Sequence, residues 1–254
     1  MVKIRTKKLL ICIIALGFLL AYVSQSQGKA RSTFLGFKKE KKSQEVPEGW
    51  EVISYFRTVK NKLSLSTEGK RTVLEVRSMG SASAVLKRLE VDLNKFPVLV
   101  WRWKINRVVG MAVEDRKDRN DAAARIRVIF GRPTPTPKTP EKPPEIFKFF
   151  ESFQVKMARG EPKGYKIDYI WGNAMPRGTV IDYPGSKRHK MVVVQSGDTR
   201  ANRWVWEKRN LSEDFRSFFG DVPPLLIGIV VLTDTDQTNE GVIAHYSSII
   251  MMRE

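Results

Sequence analysis

Along most of the chain, apolar and polar residues alternate in short stretches, which is the pattern of half-buried β-strands. Residues 98–105 show it most clearly, since Trp101 and Trp103 alternate with Arg102 and Lys104. The other predicted strands cover residues 51–56, 72–77, 85–91, 122–130, 166–171, 191–195, 204–208, 225–232 and 245–251. Most gaps between them are too short for helices. The pattern predicts a mostly β fold, an antiparallel β-sandwich of the jelly-roll or galactose-binding type with one or two short helices.

A first helix is predicted over residues 145–158, after a proline-rich run at residues 133–144 that favours extended polyproline II. Its apolar residues fall on one helical stripe. They are Ile146, Phe149, Phe150, Phe153 and Met157. The stripe would pack on the sheet, or it would contact a partner or a membrane. Residues 133–160 are therefore predicted to be an insertion between two strands.

A second helix is predicted to begin at Ser212, with Ser212 as its N-cap and Glu213 and Asp214 in its first turn. Acidic side chains are favourable there because the N-terminus of a helix carries partial positive charge. Phe215 and two later phenylalanines would pack inward, and Gly220 would end the helix.

The N-terminus carries four basic residues followed by an apolar run over residues 9–23. A basic segment before roughly 7–15 apolar residues is typical of a secretory signal, whereas a membrane-spanning helix needs about 20. We expect residues 1–28 to be a cleaved signal peptide or an uncleaved membrane anchor. In both cases the rest of the chain would be periplasmic or otherwise extracytoplasmic, either secreted or anchored to the inner membrane.

The formal net charge of +18 is unevenly distributed. Residues 1–46 hold ten Lys and Arg against two acids, and the remaining residues hold 35 against 25. Residues 29–46 are predicted to be a basic linker, and residues 47–254 a single β-sandwich domain with the insertion at 133–160. A basic domain of mixed charge favours an anionic envelope component or a solvated surface without a specific partner. The sequence has no signature of a nucleic-acid-binding module, so nucleic acid is not an expected partner.

Few side chains suited to catalysis by thiols or metals are present. Cys12, the single cysteine, lies in the N-terminal apolar run, so the domain is predicted to lack disulfides and thiolate chemistry. His189 and His245 are the only histidines, which excludes a histidine-rich zinc site. The sequence also lacks a serine-nucleophile elbow, a phosphate loop and a His/Glu metal motif. We therefore do not expect catalysis by a recognisable motif.

A row of cations would lie on one sheet face if the strands at 98–105 and 122–130 were neighbours. The row consists of Arg102, Lys104, Arg125 and Arg127. Like charges that face one another are unfavourable, so acids should lie against them. The acids expected there are Asp121, Asp168, Asp234 and Asp236. The predicted ligand-binding residues are Arg102, Lys104, Asp121, Arg125, Asp234 and Asp236.

Tryptophans near this row could stack on the apolar face of a sugar ring. Large aromatic side chains also dominate protein cores, and the alternation places Trp101 and Trp103 there. The sequence leaves Trp204 and Trp206 open between core and binding surface.

The acidic segment at residues 234–240 follows a predicted apolar strand and so occupies a strand end. Its oxygen side chains at alternate positions suit calcium. An EF-hand is rejected, because Asn239 and His245 occupy the positions of the required Gly and Glu. Two readings stay open: an irregular calcium site of Asp234 and Asp236 with Asp121, or a turn in which Asp and Thr side chains cap backbone N–H groups.

Several short motifs occur in an order that is similar to the bacterial domain-of-unknown-function 3047 family. They are Trp101-Arg-Trp-Lys104, Asn120-Asp-Ala-Ala-Ala-Arg125, Tyr169-Ile-Trp-Gly172, Val193-Val-Gln-Ser-Gly197, Trp206-Glu-Lys-Arg-Asn210, Asp214, Phe219-Gly220, Thr233-Asp-Thr-Asp-Gln-Thr238 and Tyr246. The resemblance covers roughly residues 48–252 and implies a β-rich exported domain with no established activity. The family has two adjacent acids where this chain has Asn120 and Asp121, which weakens any site that uses both.

These observations predict non-catalytic binding of a carbohydrate or another polar ligand of the cell envelope, with calcium as the one candidate cofactor. A first alternative is a hydrolase of envelope polysaccharide that acts through an Asp pair. A second alternative is a scaffold or assembly protein of the envelope that docks through residues 145–158. If the N-terminal segment is uncleaved, it would also attach the chain to a membrane.

Overall fold

A computed structural model describes residues 32–37, 46–55, 57–132 and 160–254. The contacts within the chain divide it into two units, Met1–Thr33 and Phe34–Glu254, and the fold below is that of the second. The predicted signal or anchor, most of the basic linker and the predicted insertion helix lie outside the described residues. Within the described ranges, no helix is both long and apolar enough to cross a membrane.

The described residues form thirteen strands and one helix. In chain order they are β1 (Ser32–Phe34), β2 (Glu51–Ser54), β3 (Lys62–Glu68), β4 (Arg71–Met79), β5 (Ala82–Val91), β6 (Val98–Ile105), β7 (Ala122–Gly131), β8 (Tyr165–Gly172), β9 (Val180–Asp182), β10 (His189–Ser196), β11 (Val205–Asn210), α1 (Leu211–Phe219), β12 (Leu225–Asp234) and β13 (Gly241–Met252). All ten predicted strands are confirmed, with ends that differ by a few residues, whereas β1, β3 and β9 were not predicted.

The strands form two sheets. In the first sheet, strands lie in the order β11-β6-β13-β4-β3, and the second sheet has the order β2-β5-β12-β7-β8-β10-β9. Neighbouring strands are antiparallel except β8 and β10, which are parallel. The two sheets pack face to face, which confirms the predicted β-sandwich.

The core between the sheets follows from the period-two pattern of the strands. On β7, the residues that face the core are Ala124, Ile126, Val128 and Phe130. Trp101 and Trp103 of β6 are fully buried, as predicted. Their rings meet those of the second sheet, with centroids 5.4 Å apart for Trp101 and Tyr169 and 5.8 Å apart for Trp103 and Trp171. These aromatic pairs join the two sheets and fix which side of β6 faces outward.

Helix α1 begins two residues earlier than predicted, because Asn210 and not Ser212 is its N-cap. The Asn210 side chain accepts hydrogen bonds from the backbone N–H groups of Ser212 and Glu213, at 3.1 and 3.2 Å. Asn210 also ends β11, so the strand leads directly into the helix. Gly220 ends the helix in a left-handed conformation, as predicted.

Asn210→Ala should lower the free energy of unfolding by about 1 kcal/mol, because two N–H groups of α1 lose their acceptor. Urea unfolding measures the change. Asn210→Ser is the matched control, since a serine oxygen can accept the same bonds, and it should retain most of the stability. Equal loss in both variants would contradict a capping role for this side chain.

Candidate functional site

The predicted row of four cations is divided between the two sheets, so β6 and β7 are not neighbours and the condition for one shared face is not met. Arg102 and Lys104 extend outward from β6 in the first sheet, and Arg125 and Arg127 extend outward from β7 in the second. The chain between β6 and β7 crosses from one sheet to the other, which places the two pairs on opposite outer faces of the sandwich. Two separate polar regions result.

The first region is the tryptophan face, which we define as Arg102, Lys104, Trp204 and Trp206 on the outer side of the first sheet. Trp206 of β11 pairs in register with Arg102, and its side chain is 49% exposed. The guanidinium carbon of Arg102 lies 3.9 Å from the ring centroid of Trp204 and 5.9 Å from that of Trp206. The Lys104 ammonium lies 4.9 Å from the Trp204 ring. Both cations therefore lie within the range of cation–π attraction to Trp204.

Glu68 is the carboxylate that contacts the cations and the indole of the tryptophan face. Trp204 Nε1 donates a hydrogen bond to Glu68 Oε2 at 2.8 Å. The same carboxylate lies 3.6 Å from both Arg102 Nη2 and Lys104 Nζ. Glu68 ends β3, the strand farthest from β11 in the sheet order, yet its carboxylate meets Trp204, the residue before β11. The result is a fixed indole ring among two cations and one carboxylate.

Two buried nitrogen atoms on this face have no hydrogen-bond partner within the described part of the chain: Arg102 Nε and His245 Nδ1. His245 lies opposite Lys104 on the neighbouring strand, and its Nε2 is 3.0 Å from Glu75 Oε2. Burial, followed by Arg71, lowers the pKa of Arg102, and burial, followed by Lys104, lowers that of His245. Buried polar atoms nearly always have partners, so these two nitrogens are exceptions in the packing of this face.

The second region is a buried ion-pair cluster around Asp168 on the outer side of the second sheet. Asp168 is fully buried and lies 2.7 Å from Arg125 Nη1 and 2.7 Å from Arg127 Nε. His189 Nε2 lies 2.9 Å from Asp168 Oδ1, although its orientation does not form a hydrogen bond. Burial alone would raise the pKa of Asp168, but Arg127, His189 and Arg125 hold it well below the ordinary value.

Further acids surround this cluster. Glu161 Oε1 accepts from Arg127 at 2.7 Å, and Glu161 also pairs with Lys166 at 2.5 Å. Asp234 Oδ2 lies 3.4 Å from Arg125 Nη2. Of the four acids expected against the cations, Asp168 and Asp234 lie against Arg125, whereas Asp121 and Asp236 form no ion pair with the four cations among the described residues. Since most donors of the cluster find acceptors inside the protein, this arrangement is that of a structural network.

The predicted acidic segment stabilises a turn at the end of β12. Asp234, the last residue of that strand, accepts a hydrogen bond from the backbone N–H of Ala122 at 2.8 Å. Asp121 accepts from both the N–H and the hydroxyl of Thr238, each at 2.7 Å. Burial raises the pKa of Asp236, and Asp121 adds to this shift. These contacts match the interpretation of the segment as a turn.

The calcium site at Asp234 and Asp236 stays a prediction. Within the described ranges, no group of three or more His, Cys, Asp or Glu side chains is arranged to hold a metal ion. The hydrolase that acts through an Asp pair likewise stays a prediction.

Two acids beside the tryptophan face were not predicted as site residues, Glu68 and Glu75. Glu75 could have been found, since it alternates with the buried Leu74 and Val76 in a predicted strand. Glu68 precedes Gly69, whose positive φ of 60° forms the β3–β4 hairpin turn. The Glu-Gly-Lys sequence there is a hairpin signal, but nothing local indicates that this turn reaches Trp204.

Comparison with known proteins gives one family match. The model of the family described as "Protein of unknown function (DUF3047)" matches residues 48–250. No curated protein matches the chain. Among solved structures, the chain is similar to the xyloglucanase domain of NopAA, a type three effector from Sinorhizobium fredii, in complex with cellobiose. That similarity has 10% sequence identity and a TM-score of 0.38, and it covers 88% of this chain and 100% of the other. A likeness of this size carries no information on ligand or activity.

Proposed function

For a chain that belongs to the DUF3047 family of proteins of unknown function, we propose non-catalytic binding of a carbohydrate or another polar cell-envelope ligand at the tryptophan face. The observation that carries the proposal is the half-exposed ring of Trp206, which pairs in register with Arg102 and lies 5.9 Å from its guanidinium carbon. A sugar matches this pair, because its apolar C–H face can stack on the indole and its hydroxyl oxygens can accept from the partly exposed guanidinium.

The ring of Trp206 is suited to stacking because it is held on a rigid strand and exposes about half of its surface. An indole loses little conformational freedom when a flat apolar group covers it, and aromatic side chains contribute strongly to binding surfaces. Arg102 pairs in register with Trp206, so the guanidinium and the stacking surface extend from the same face of the sheet.

The acids of the tryptophan face supply acceptors for ligand hydroxyl groups. Glu68 is about half exposed, and its contacts to Arg102 and Lys104 are long, at 3.6 Å. A hydroxyl placed between the carboxylate and the guanidinium could donate to one and accept from the other. A ligand with several hydroxyls on one apolar ring therefore matches both the charges and the shape of this surface.

Trp206→Ala should weaken binding to the ligand at least tenfold, since the stacking surface is removed from the site. The measurement is a titration of the full chain with envelope oligosaccharides and peptidoglycan fragments, followed by calorimetry on those that bind. Val180→Ala, which removes a partly exposed apolar side chain from the second sheet, is the matched control and should bind like the wild type.

Arg102→Lys separates the role of the guanidinium from that of charge, because lysine keeps the charge and loses the planar fork. We expect it to weaken binding about as much as Trp206→Ala. Unfolding midpoints of all variants show whether the fold is intact. No binding by the wild type at millimolar ligand would overturn the proposal.

A further inference from the structure

One end of the sandwich exposes three apolar side chains that the proposed function does not use. Val59, Met79 and Met111 are 68%, 74% and 53% exposed. Val59 lies beside the start of β5, since its carbonyl accepts from Ala82 N–H at 2.9 Å. We call this end of the molecule the basic tip, for the cations described below. It lies where β5 begins and β12 ends, away from the Trp206 ring on the sheet face.

The turns of the basic tip are fixed to one another through Glu240. Its carbonyl accepts from Gly80 N–H at 3.0 Å, next to Met79, and its carboxylate accepts from Met111 N–H at 2.7 Å. Arg107 pairs with the same carboxylate at 2.7 Å. The exposed methionines are therefore presented by connected turns, and their exposure is a property of the fold.

A groove of about 540 Å³ lies beside Val59 and Met79. Three cations line it: Lys60, Lys62 and Arg77. Among its described lining residues there is no carboxylate, although Arg77 pairs with Glu75 outside the groove at 2.7 Å. The groove side of the basic tip thus combines outward-facing apolar side chains with positive charge. The acids of the turn after β12, Asp236 and Glu240, lie at the same end but do not line the groove.

We propose that the basic tip docks onto the surface of an anionic lipid bilayer. Apolar side chains that project from fixed turns can enter the headgroup region, and lysines around them are attracted to anionic lipid. An acidic protein partner would share the charge complementarity, and the polyglutamate measurement below distinguishes it from a bilayer. The proposal does not depend on ligand binding at the tryptophan face.

A local fluorescent probe tests the proposal, because the predicted N-terminal segment could attach the whole chain to vesicles by itself. In the full chain carrying Cys12→Ser, an environment-sensitive dye is attached through Met79→Cys, or through Asn94→Cys at the opposite end. We expect a blue shift at position 79 on mixed phosphatidylcholine–phosphatidylglycerol vesicles, a much smaller shift on phosphatidylcholine alone, and none at position 94. High salt should reverse the shift at position 79.

Charge-reversal variants are the second part of the vesicle experiment. Lys60→Glu with Lys62→Glu should weaken anionic-vesicle binding at position 79 at least about tenfold. Lys95→Glu with Lys187→Glu changes the net charge equally at the opposite end and should have little effect. Equal shifts at positions 79 and 94, no shift at 79, or equal effects of the two double variants would overturn the proposal. A shift that soluble polyglutamate induces as strongly would overturn it in favour of an acidic protein.

Discussion

Asp168→Ala is expected to lower the free energy of unfolding by about 3–5 kcal/mol, because it leaves two buried guanidinium groups without their shared carboxylate. Arg125 is 1% and Asp168 0% exposed, so water cannot replace the lost partner in the folded state. Arg127 would lose two hydrogen bonds, from Nε at 2.7 Å and from Nη2 at 2.8 Å. Urea unfolding at neutral pH measures the effect. The dependence of the unfolding free energy on urea concentration should be the same in both proteins.

Two control variants test whether the loss of stability comes from the burial of the Asp168 carboxylate. Asp118→Ala removes an exposed carboxylate that also pairs with an arginine, Arg116, at 2.8 Å, and it should have no measurable effect since exposed pairs contribute little. Asp168→Asn keeps the shape and one of the two acceptor oxygens but loses the charge and places an NH2 donor against an arginine, so it should recover only a small part of the loss. If Asp168→Ala were no more harmful than Asp118→Ala, the cluster would not be a structural network.

The sequence predicts which side chains leave the core, but it does not predict which sheet carries them. Alternation along β6 and β7 correctly placed Arg102 and Arg125 on outer faces. Whether two successive strands pair or lie in opposite sheets depends on the path of the chain between them, and residues 106–121 carry no pattern that decides it. The sequence therefore predicts one site where the structure has two regions: a surface around Trp204 and a buried cluster around Asp168.

The sequence does not decide whether Trp204 and Trp206 lie in the core or on a binding surface, and the residues of β11 explain why. Trp206 alternates with Val205 and Glu207, and both of these neighbours are buried. Glu207 lies on the inner side and accepts a hydrogen bond from Gln195 at 2.6 Å, and burial raises its pKa. Alternation normally assigns the aromatic residue to the core and the charged residue to solvent. In β11 the charged residue faces the core and the tryptophan faces solvent, so the sequence pattern does not identify the buried side of this strand.

Contacts between distant residues set the remaining features of the site. Glu68 meets Trp204 across 136 positions of the chain, although β3 and β11 lie at the two ends of the first sheet's strand order. The N-cap of α1 also could not be predicted from the local sequence alone. Asn210 and Ser212 are both good N-cap residues, and only the end of β11 at Asn210 decides between them.

The pH dependence of stability should carry a large contribution from Asp234. Burial, with a further contribution from Asp121, raises its pKa from the ordinary 3.8 to about 6, although Arg125 opposes the shift. Ionisation is therefore less favourable in the folded protein than in the unfolded chain. The stabilising contribution of protonated Asp234 is fully present below about pH 4, and it is lost as the pH rises through about 6.

Comparison of the wild type with Asp234→Asn isolates this contribution, because an asparagine cannot ionise and its amide oxygen can still accept from Ala122. A shift of about two pH units corresponds to about 3 kcal/mol. We expect the stability of the wild type relative to Asp234→Asn to fall by about that amount between pH 4 and pH 7, measured as urea unfolding free energies. Asp168 titrates in both proteins and so cancels in the difference. Parallel stability curves over this range would show that Asp234 ionises in the folded state as easily as in water, and that its contacts with Arg125 and Ala122 offset its burial.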